Sequence, residues 1–123
     1  MASADSNWKI IYFETKRGEC PVYDFIQSLS PVAQSKISNT FDLLTQFGIK
    51  LGLPHVKKLS GTNLWELKIL GGDSLRIFYV TSTGRQFVLI HGYLKKSQKT
   101  NKKELKIALS RLKELSSRNI TKL

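Results

Sequence analysis

The last third of the chain brings many cations close to one histidine. In HGYLKKSQKT (91–100) and the residues after it, six lysines fall within twelve residues, and only Glu104 opposes them. Several stand at or just before the start of a segment with helical periodicity, whose unpaired backbone N–H groups and positive dipole end favour anions. The pattern predicts a phosphate-binding site, with a solvated basic turn as the alternative. The six residues are Lys95, Lys96, Lys99, Lys102, Lys103 and Lys106.

Three more candidate residues lie in segments rich in β-branched and aromatic residues. Lys68 is in LWELKIL, Arg76 in LRIFYV and His91 in FVLIHGYL. Because a guanidinium among apolar strand residues is costly to desolvate, Arg76 requires either a bound phosphate or a partner such as Glu66 on the neighbouring strand. For Lys68 the alternative is a solvated strand lysine. For His91 it is a half-buried histidine whose hydrogen bonds are satisfied within the protein.

Strand alternation predicts which side chains share a face of the sheet. On the last strand, His91 is expected on the same face as Phe87, Leu89 and Tyr93. Because alternation does not fix the register between strands, the convergence of the three strand cations on one open face is a hypothesis.

Cations without an acidic cluster favour metal-free chemistry on a phosphodiester. The chain has no Gly-rich phosphate loop, HExxH motif or Ser/His/Asp order, and its acidic residues are too few and scattered for a two-metal nuclease. In RNA the 2′-OH attacks the adjacent phosphate once a base removes its proton, cations stabilise the phosphorane, and an acid protonates the leaving 5′ oxygen. Lysine, arginine and histidine can fill these roles, and crowding by other cations lowers a lysine pKa. We therefore expect neither metal nor cofactor.

The periodicity of the chain predicts the elements that position these residues. Two amphipathic helices follow the first strand, in ECPVYDFIQSL and from Ser30 to Gly48, and 50–61 is expected to be a loop or a loop with an irregular strand. Short joints between the later strands predict an antiparallel meander, and NKKELKIALSRLKEL predicts a last helix capped by Thr100 or Asn101. The order βααβββα predicts an α+β domain, its antiparallel sheet packed on one face by helices. The predicted strands are 8–13, 64–70, 75–80 and 87–94.

Composition indicates one basic domain. With 123 residues and 41% hydrophobic content, residues 1–123 are expected to form a single core. The net charge of +11 is uneven, −1 over residues 1–49 and +12 over residues 50–123, which points to nucleic acid, an acidic protein partner or both. No apolar stretch approaches the roughly 20 residues of a membrane-spanning helix, and MASADSNWK lacks signal features. We expect a cytoplasmic protein with no membrane partner.

Taken together, these segments resemble the RelE/HigB-type toxins of bacterial type II toxin–antitoxin systems, in particular the phage-derived HigB-like branch. The resemblance rests on ECPVYDFIQSL, VKKLSGTNLWELKI, LRIFYV and VLIHGYLKKSQKTNKKELKIAL, in this order, between Trp8 and Leu115. It implies a compact RelE-like fold and an mRNA interferase, an endoribonuclease that cleaves mRNA on the translating ribosome. It also implies mRNA, the ribosome and a cognate helix-turn-helix antitoxin as partners.

The resemblance assigns roles position by position. Arg76 matches the strand arginine that contacts the scissile phosphate, and Lys57 the basic residue ahead of the second strand of the motif. Lys68 stands where this branch commonly has arginine and lacks its bidentate fork. Proton transfer is assigned to His91 or to a lysine, and Tyr93 is the nearest match to the tyrosine that follows the last strand in other members. The predicted catalytic residues are Arg76, His91, Lys57 and Lys68. The predicted RNA-binding residues are Lys58, Tyr93, Lys95, Lys96, Lys99, Lys102 and Lys103.

Two other functions remain open on the sequence. ParE-like proteins of the same superfamily share the RelE fold but poison DNA gyrase, and a non-catalytic member would bind nucleic acid only. Retention of Arg76 and of the basic run from His91 to Lys99 favours the nuclease. The aromatic residues are expected in the core, so no stacking platform for bases is evident, which disfavours a simple RNA-binding module.

Overall fold

The structure, a computed structural model, describes residues 8–52, 54–71, 74–96 and 101–118. A short 3-10 turn, Gly48–Lys50, follows the second helix. No helix in these ranges is long and apolar enough to cross a membrane. The elements in chain order are β1 (Lys9–Tyr12), α1 (Pro21–Gln27), α2 (Pro31–Phe47), β2 (Val56–Lys58), β3 (Trp65–Lys68), β4 (Leu75–Ser82), β5 (Gln86–Leu94) and α3 (Lys102–Arg118).

The strands form one sheet of five in the order β1-β5-β4-β3-β2. The predicted meander is confirmed, since β2, β3, β4 and β5 are joined by antiparallel pairs. The irregular strand that was expected as an alternative within residues 50–61 is β2, which lies at one edge of the sheet. The sequence did not indicate the place of β1, which pairs in parallel with β5 at the opposite edge. The sheet is therefore mixed rather than purely antiparallel.

Capping side chains mark the first residues of α2 and α3. The Ser30 side chain accepts a hydrogen bond from the Ala33 N–H, and Pro31 occupies the first turn of α2. At α3 the Asn101 side chain accepts from the N–H groups of Lys103 and Glu104, so Asn101 is the predicted cap that forms. The alternative cap, Thr100, lies outside the described residues.

The α+β class is confirmed, but the expectation that helices pack on one face of the sheet is wrong. One cluster of buried residues joins α1 and α2 to the sheet through Val22, Ile26, Ile37 and Leu44. A second cluster on the other face packs Ala108 of α3 against β4 and β5. The physical reason is that β4 and β5 are apolar on both faces, so both need a cover. The sheet residues of the second cluster are Phe78, Val80, Val88, Ile90 and Tyr93.

A β-bulge in β5 turns His91 to the face of the sheet opposite to the one predicted. Phe78 pairs with His91, whereas the next residue of β4, Tyr79, pairs with Leu89, so Ile90 is the extra residue of β5. Beyond the bulge the alternation of side chains is reset. His91 and Tyr93 therefore lie on the α3 face, and not with Leu89 and Phe87 as strict alternation predicts.

Helix α1 packs directly on the backbone of β5 at Gly92. A Cβ atom at this position would lie 2.7 Å from Cδ2 of Phe25, closer than real carbon contacts allow. We predict that Gly92→Ala lowers the free energy of unfolding by about 1 to 3 kcal/mol, because the Phe25 ring must move within a filled core. Urea unfolding followed by circular dichroism measures this. Gly52→Ala is the matched control, because a Cβ there meets nothing within 4 Å. Equal stability of the two variants would contradict the packing.

Candidate functional site

Register places three predicted catalytic cations on one side of the sheet. Lys68 of β3 pairs with Arg76 of β4, and Arg76 pairs in turn with Tyr93 of β5. In the adjacent row, Lys57 of β2 pairs with Glu66 of β3. Directly opposed residues of antiparallel strands share a face, and residues two apart on β3 do so as well. Lys57, Lys68 and Arg76 therefore form one surface on the α3 side of the sheet, which we call the basic face.

A carboxylate and a phenol lie between these cations. The Tyr93 hydroxyl donates a hydrogen bond of 2.8 Å to Oε2 of Glu66, across the intervening strand β4. The burial of Tyr93 raises the pKa of its phenol above the ordinary value, and the hydrogen bond to Glu66 raises it further. Tyr93 is therefore a protonated donor at neutral pH. Arg76 instead donates to the Leu75 carbonyl at 3.0 Å, and the Arg76–Glu66 ion pair considered from the sequence does not form among the described residues.

The predicted proton-transfer residue His91 lies on the same side of the sheet but is 8% exposed. Its Nε2 is 2.5 Å from Oε1 of Glu104, and its Nδ1 is 3.0 Å from a guanidinium nitrogen of Arg111. Both ring nitrogens thus have partners on α3. Burial lowers the pKa of His91, and the Arg111 charge lowers it too, whereas the hydrogen bond to Glu104 acts in the opposite direction.

Four of the predicted RNA-binding lysines follow β5 or begin α3, on the side of the sheet that carries the basic face. Lys95 and Lys96 follow the end of β5, where the Lys95 N–H donates to the Ser74 carbonyl at 2.7 Å. Lys102 and Lys103 are exposed in the first turn of α3. Lys99 lies outside the described residues. Lys95 and Lys96 thus add positive charge at the end of β5, and Lys102 and Lys103 add it at the start of α3.

Lys58 is separated from the basic face by the pleat of β2. It pairs with Trp65, and its Nζ lies 5.5 Å from the centroid of the Trp65 ring. Its neighbour Lys57 pairs with Glu66 and points to the other side. The structure therefore does not bring Lys58 together with the other predicted site residues.

Three polar residues of the site carried no functional assignment from the sequence: Glu66, Glu104 and Arg111. Glu66 was considered only as an ion-pair partner of Arg76, whereas it pairs with the Tyr93 hydroxyl. Glu104 and Arg111 are seven residues apart and so lie on one side of α3, beside its apolar stripe. Polar residues seven apart beside the apolar stripe of a helix were the one feature of the sequence that could have indicated this pair.

Across the described ranges, no group of three His, Cys, Asp or Glu side chains could hold a metal ion.

The fold and this face define a small α+β protein with a basic sheet surface beside a helix start. A sequence profile of the family described as phage-derived protein Gp49-like matches residues 24–113. The chain belongs to this family of toxin-like proteins of toxin–antitoxin systems. No curated protein matches the chain significantly.

The Tyr93–Glu66 hydrogen bond should stabilise the folded protein in a way that depends on pH. Removing the hydroxyl in Tyr93→Phe leaves a partly buried carboxylate without its donor, so we expect a loss of about 1.5 to 3 kcal/mol at pH 7. Because the pKa of Tyr93 is raised in the folded state from its ordinary value of 10.0, its contribution is present below pH 10 and is lost as pH rises toward the raised pKa. The stability difference between wild type and Tyr93→Phe should therefore narrow above pH 10.

Urea unfolding at pH 7 and at several pH values above 10 measures both effects. Tyr23→Phe is the control for losing a hydroxyl, since Tyr23 is 47% exposed, and it should leave the stability at pH 7 unchanged. A Tyr93→Phe variant as stable as wild type at pH 7 would show that the hydrogen bond contributes nothing.

Proposed function

We propose that the chain is the toxin of a type II toxin–antitoxin system and acts as an mRNA interferase of the RelE/HigB type. In this proposal it is an endoribonuclease that cleaves mRNA on the translating ribosome without a metal ion. The observation that supports it most is the basic face, on which Lys57, Lys68 and Arg76 come from three neighbouring strands. Membership of a toxin-like family supports the same proposal.

The basic face suits a phosphodiester whose charge grows during reaction. Lys68 and Arg76 are direct cross-strand neighbours, so their Cβ atoms are about 5 Å apart and both side chains can reach one phosphate. In the proposed reaction, the planar Arg76 guanidinium binds two phosphate oxygens, and Lys57 and Lys68 add charge. Their combined attraction is strongest in the dianionic phosphorane, which is the condition for lowering the barrier.

Proton transfer requires a base for the 2′-OH and an acid for the 5′ oxygen. The sequence assigned this work to His91 or to a lysine. We add the Glu66–Tyr93 pair, because a carboxylate that accepts from a phenol stands among the cations of the face. Glu66 would take the proton from the 2′-OH, and a protonated lysine of the basic face, Lys57 or Lys68, would give a proton to the leaving 5′ oxygen. Tyr93, held in its protonated form, would stay a hydrogen-bond donor throughout.

Binding of the RNA backbone would fall to the cations that flank the face. In this proposal Lys95, Lys96, Lys102 and Lys103 contact phosphates on either side of the cleavage site, which fixes the position of the RNA without a sequence preference. The ribosome would deliver the mRNA, and the helix-turn-helix antitoxin would be the neutralising partner.

The experiment is to induce wild type and Arg76→Ala in a bacterial host that lacks the antitoxin, and to map the 5′ ends of cellular mRNA within minutes. Wild type should arrest growth and create new ends inside translated frames. Arg76→Ala should lose both effects while remaining folded by circular dichroism. Growth arrest with intact mRNA would contradict the nuclease and favour a gyrase poison. Full activity of the folded Arg76→Ala variant would remove Arg76 from the mechanism.

Neighbouring lysines on opposite sides of β2 provide a matched pair for the same assay. Lys57→Ala should slow cleavage about 10- to 100-fold, the loss expected for one charged contact to the reacting phosphate. Lys58→Ala changes the net charge equally but lies over Trp65, so its effect should be a few-fold at most. Equal losses would show that the overall charge matters and that the geometry of the basic face does not.

A further inference from the structure

The imidazole of His91 is held on both sides by residues of α3. Glu104, in the first turn of the helix, lies within hydrogen-bond distance of Nε2, and Arg111, two turns later, of Nδ1. The same Arg111 nitrogen also donates to the Ile90 carbonyl at 3.0 Å, which ties the guanidinium to the bulge of β5. Thus three contacts connect one short stretch of β5 with the first three turns of α3.

The chemistry of the two partners fixes the proton on the ring. A guanidinium only donates hydrogen bonds, so Nδ1 of His91 must carry a free lone pair to accept from Arg111. A carboxylate only accepts when ionised, so Nε2 must carry the hydrogen that points to Glu104. The arrangement is satisfied by one neutral tautomer, Nε2–H. A doubly protonated ring would set an N–H against the Arg111 donor.

In the part of the chain that the structure describes, the other elements around His91 bring no charged group into hydrogen-bond contact with its ring. Phe78 of β4 lies opposite it in the register, and the Tyr93 ring of β5 stacks beside it with an interplanar angle of 11° and a centroid distance of 5.8 Å. Beyond the Tyr93 ring lie Glu66, bonded to the Tyr93 hydroxyl, and Arg76, the register partner of Tyr93. Among the described residues, the charged groups that act directly on His91 are therefore the two on α3.

We propose that Arg111 and Glu104 are positioning residues that hold His91 as the neutral Nε2–H tautomer and, through its stacked ring, fix Tyr93 toward Glu66 on the basic face. The series of contacts runs from Arg111 to His91, from His91 to Tyr93, and from the Tyr93 hydroxyl to Glu66. In this arrangement His91 itself transfers no proton to RNA, because each ring nitrogen already has a partner inside the protein. The role in RNA cleavage rests on the proposed function, whereas the tautomer and its charge dependence do not.

The first arm of the test is nitrogen NMR of the histidine rings in the full chain. The chain has two histidines, so the signals of His55 serve as an internal reference in every sample. In wild type at neutral pH, the His91 Nδ1 shift should be that of an unprotonated nitrogen and the Nε2 shift that of a protonated one. The opposite assignment, or a doubly protonated ring, would overturn the proposal without any variant.

Two variants should then move the pKa of His91 in opposite directions. Arg111→Met keeps the length of the side chain but removes the cation, so the pKa should rise by about one pH unit or more. Glu104→Gln keeps an acceptor for Nε2–H but removes the negative charge, so the pKa should fall further. If Glu104 and Arg111 only anchored the helix, both variants would expose the ring to water and both pKa values would rise. That result would overturn the proposal.

The cleavage assay forms the second arm and separates this inference from the proposed function. Arg111→Met should slow mRNA cleavage, and Arg111→Lys, which restores the cation, should recover part of the rate. RNA affinity at a fixed salt concentration should change little between these two variants, since Arg111 is placed to act through His91. If wild type cleaves no RNA, the proposed function fails while the NMR arm still decides the tautomer. If wild type cleaves RNA and Arg111→Met does so at the same rate, the positioning role fails.

Discussion

The extra residue in β5 decides which way the polar end of that strand faces. Up to Leu89 the strand alternates regularly against β4, and Ile90 then breaks the register, so that His91 and Tyr93 come to lie on the α3 side of the sheet. Without the bulge, both side chains would point into the core under α1 and α2, and Gly92 would face the other way. Gly92, lying tightly under Phe25, fits only the bulged arrangement. Bulges commonly re-aim a side chain next to a functional site, and this one places His91 and Tyr93 on the same side of the sheet as the basic face.

Polar contacts complete the attachment of α3. The helix places a narrow apolar stripe on the sheet, with Ala108 fully buried at its centre. Glu104 in its first turn and Arg111 near its middle bind His91. At its second half, Glu114 accepts from the Lys16 N–H, and Arg118 lies over the Phe13 ring. Because the contacts of Glu104 and Arg111 are partly buried, and such contacts are costly when one partner is removed, they make the position of the helix specific. The cations at its start are thereby held beside the strand cations.

The sequence predicted most of the helices and strands, but it did not predict which face of the sheet their side chains occupy. Periodicity and capping residues located the helices, because those signals are local, as Ser30 and Asn101 illustrate. The convergence of Lys68 and Arg76 depended on a register that only the packed sheet determines. The bulge at Ile90 leaves no mark in the sequence, so alternation placed His91 on the wrong face. The sequence did indicate that a helix covers the second face of the sheet. FVLI and LRIFYV contain too few polar residues for a strand with one face exposed to solvent.

The proposed reaction on the basic face is cleavage of RNA through attack by the 2′-OH. The chemistry of the new ends tests it, after purified protein is added to ribosomes translating a defined mRNA. Attack by the 2′-OH leaves a 5′-hydroxyl on the downstream fragment and a cyclic 2′,3′-phosphate, or the 3′-phosphate formed from it, on the upstream fragment, and we expect these ends. Downstream fragments with a 5′-phosphate would show that water attacked instead and would contradict the proposed reaction, as would mRNA that stays intact.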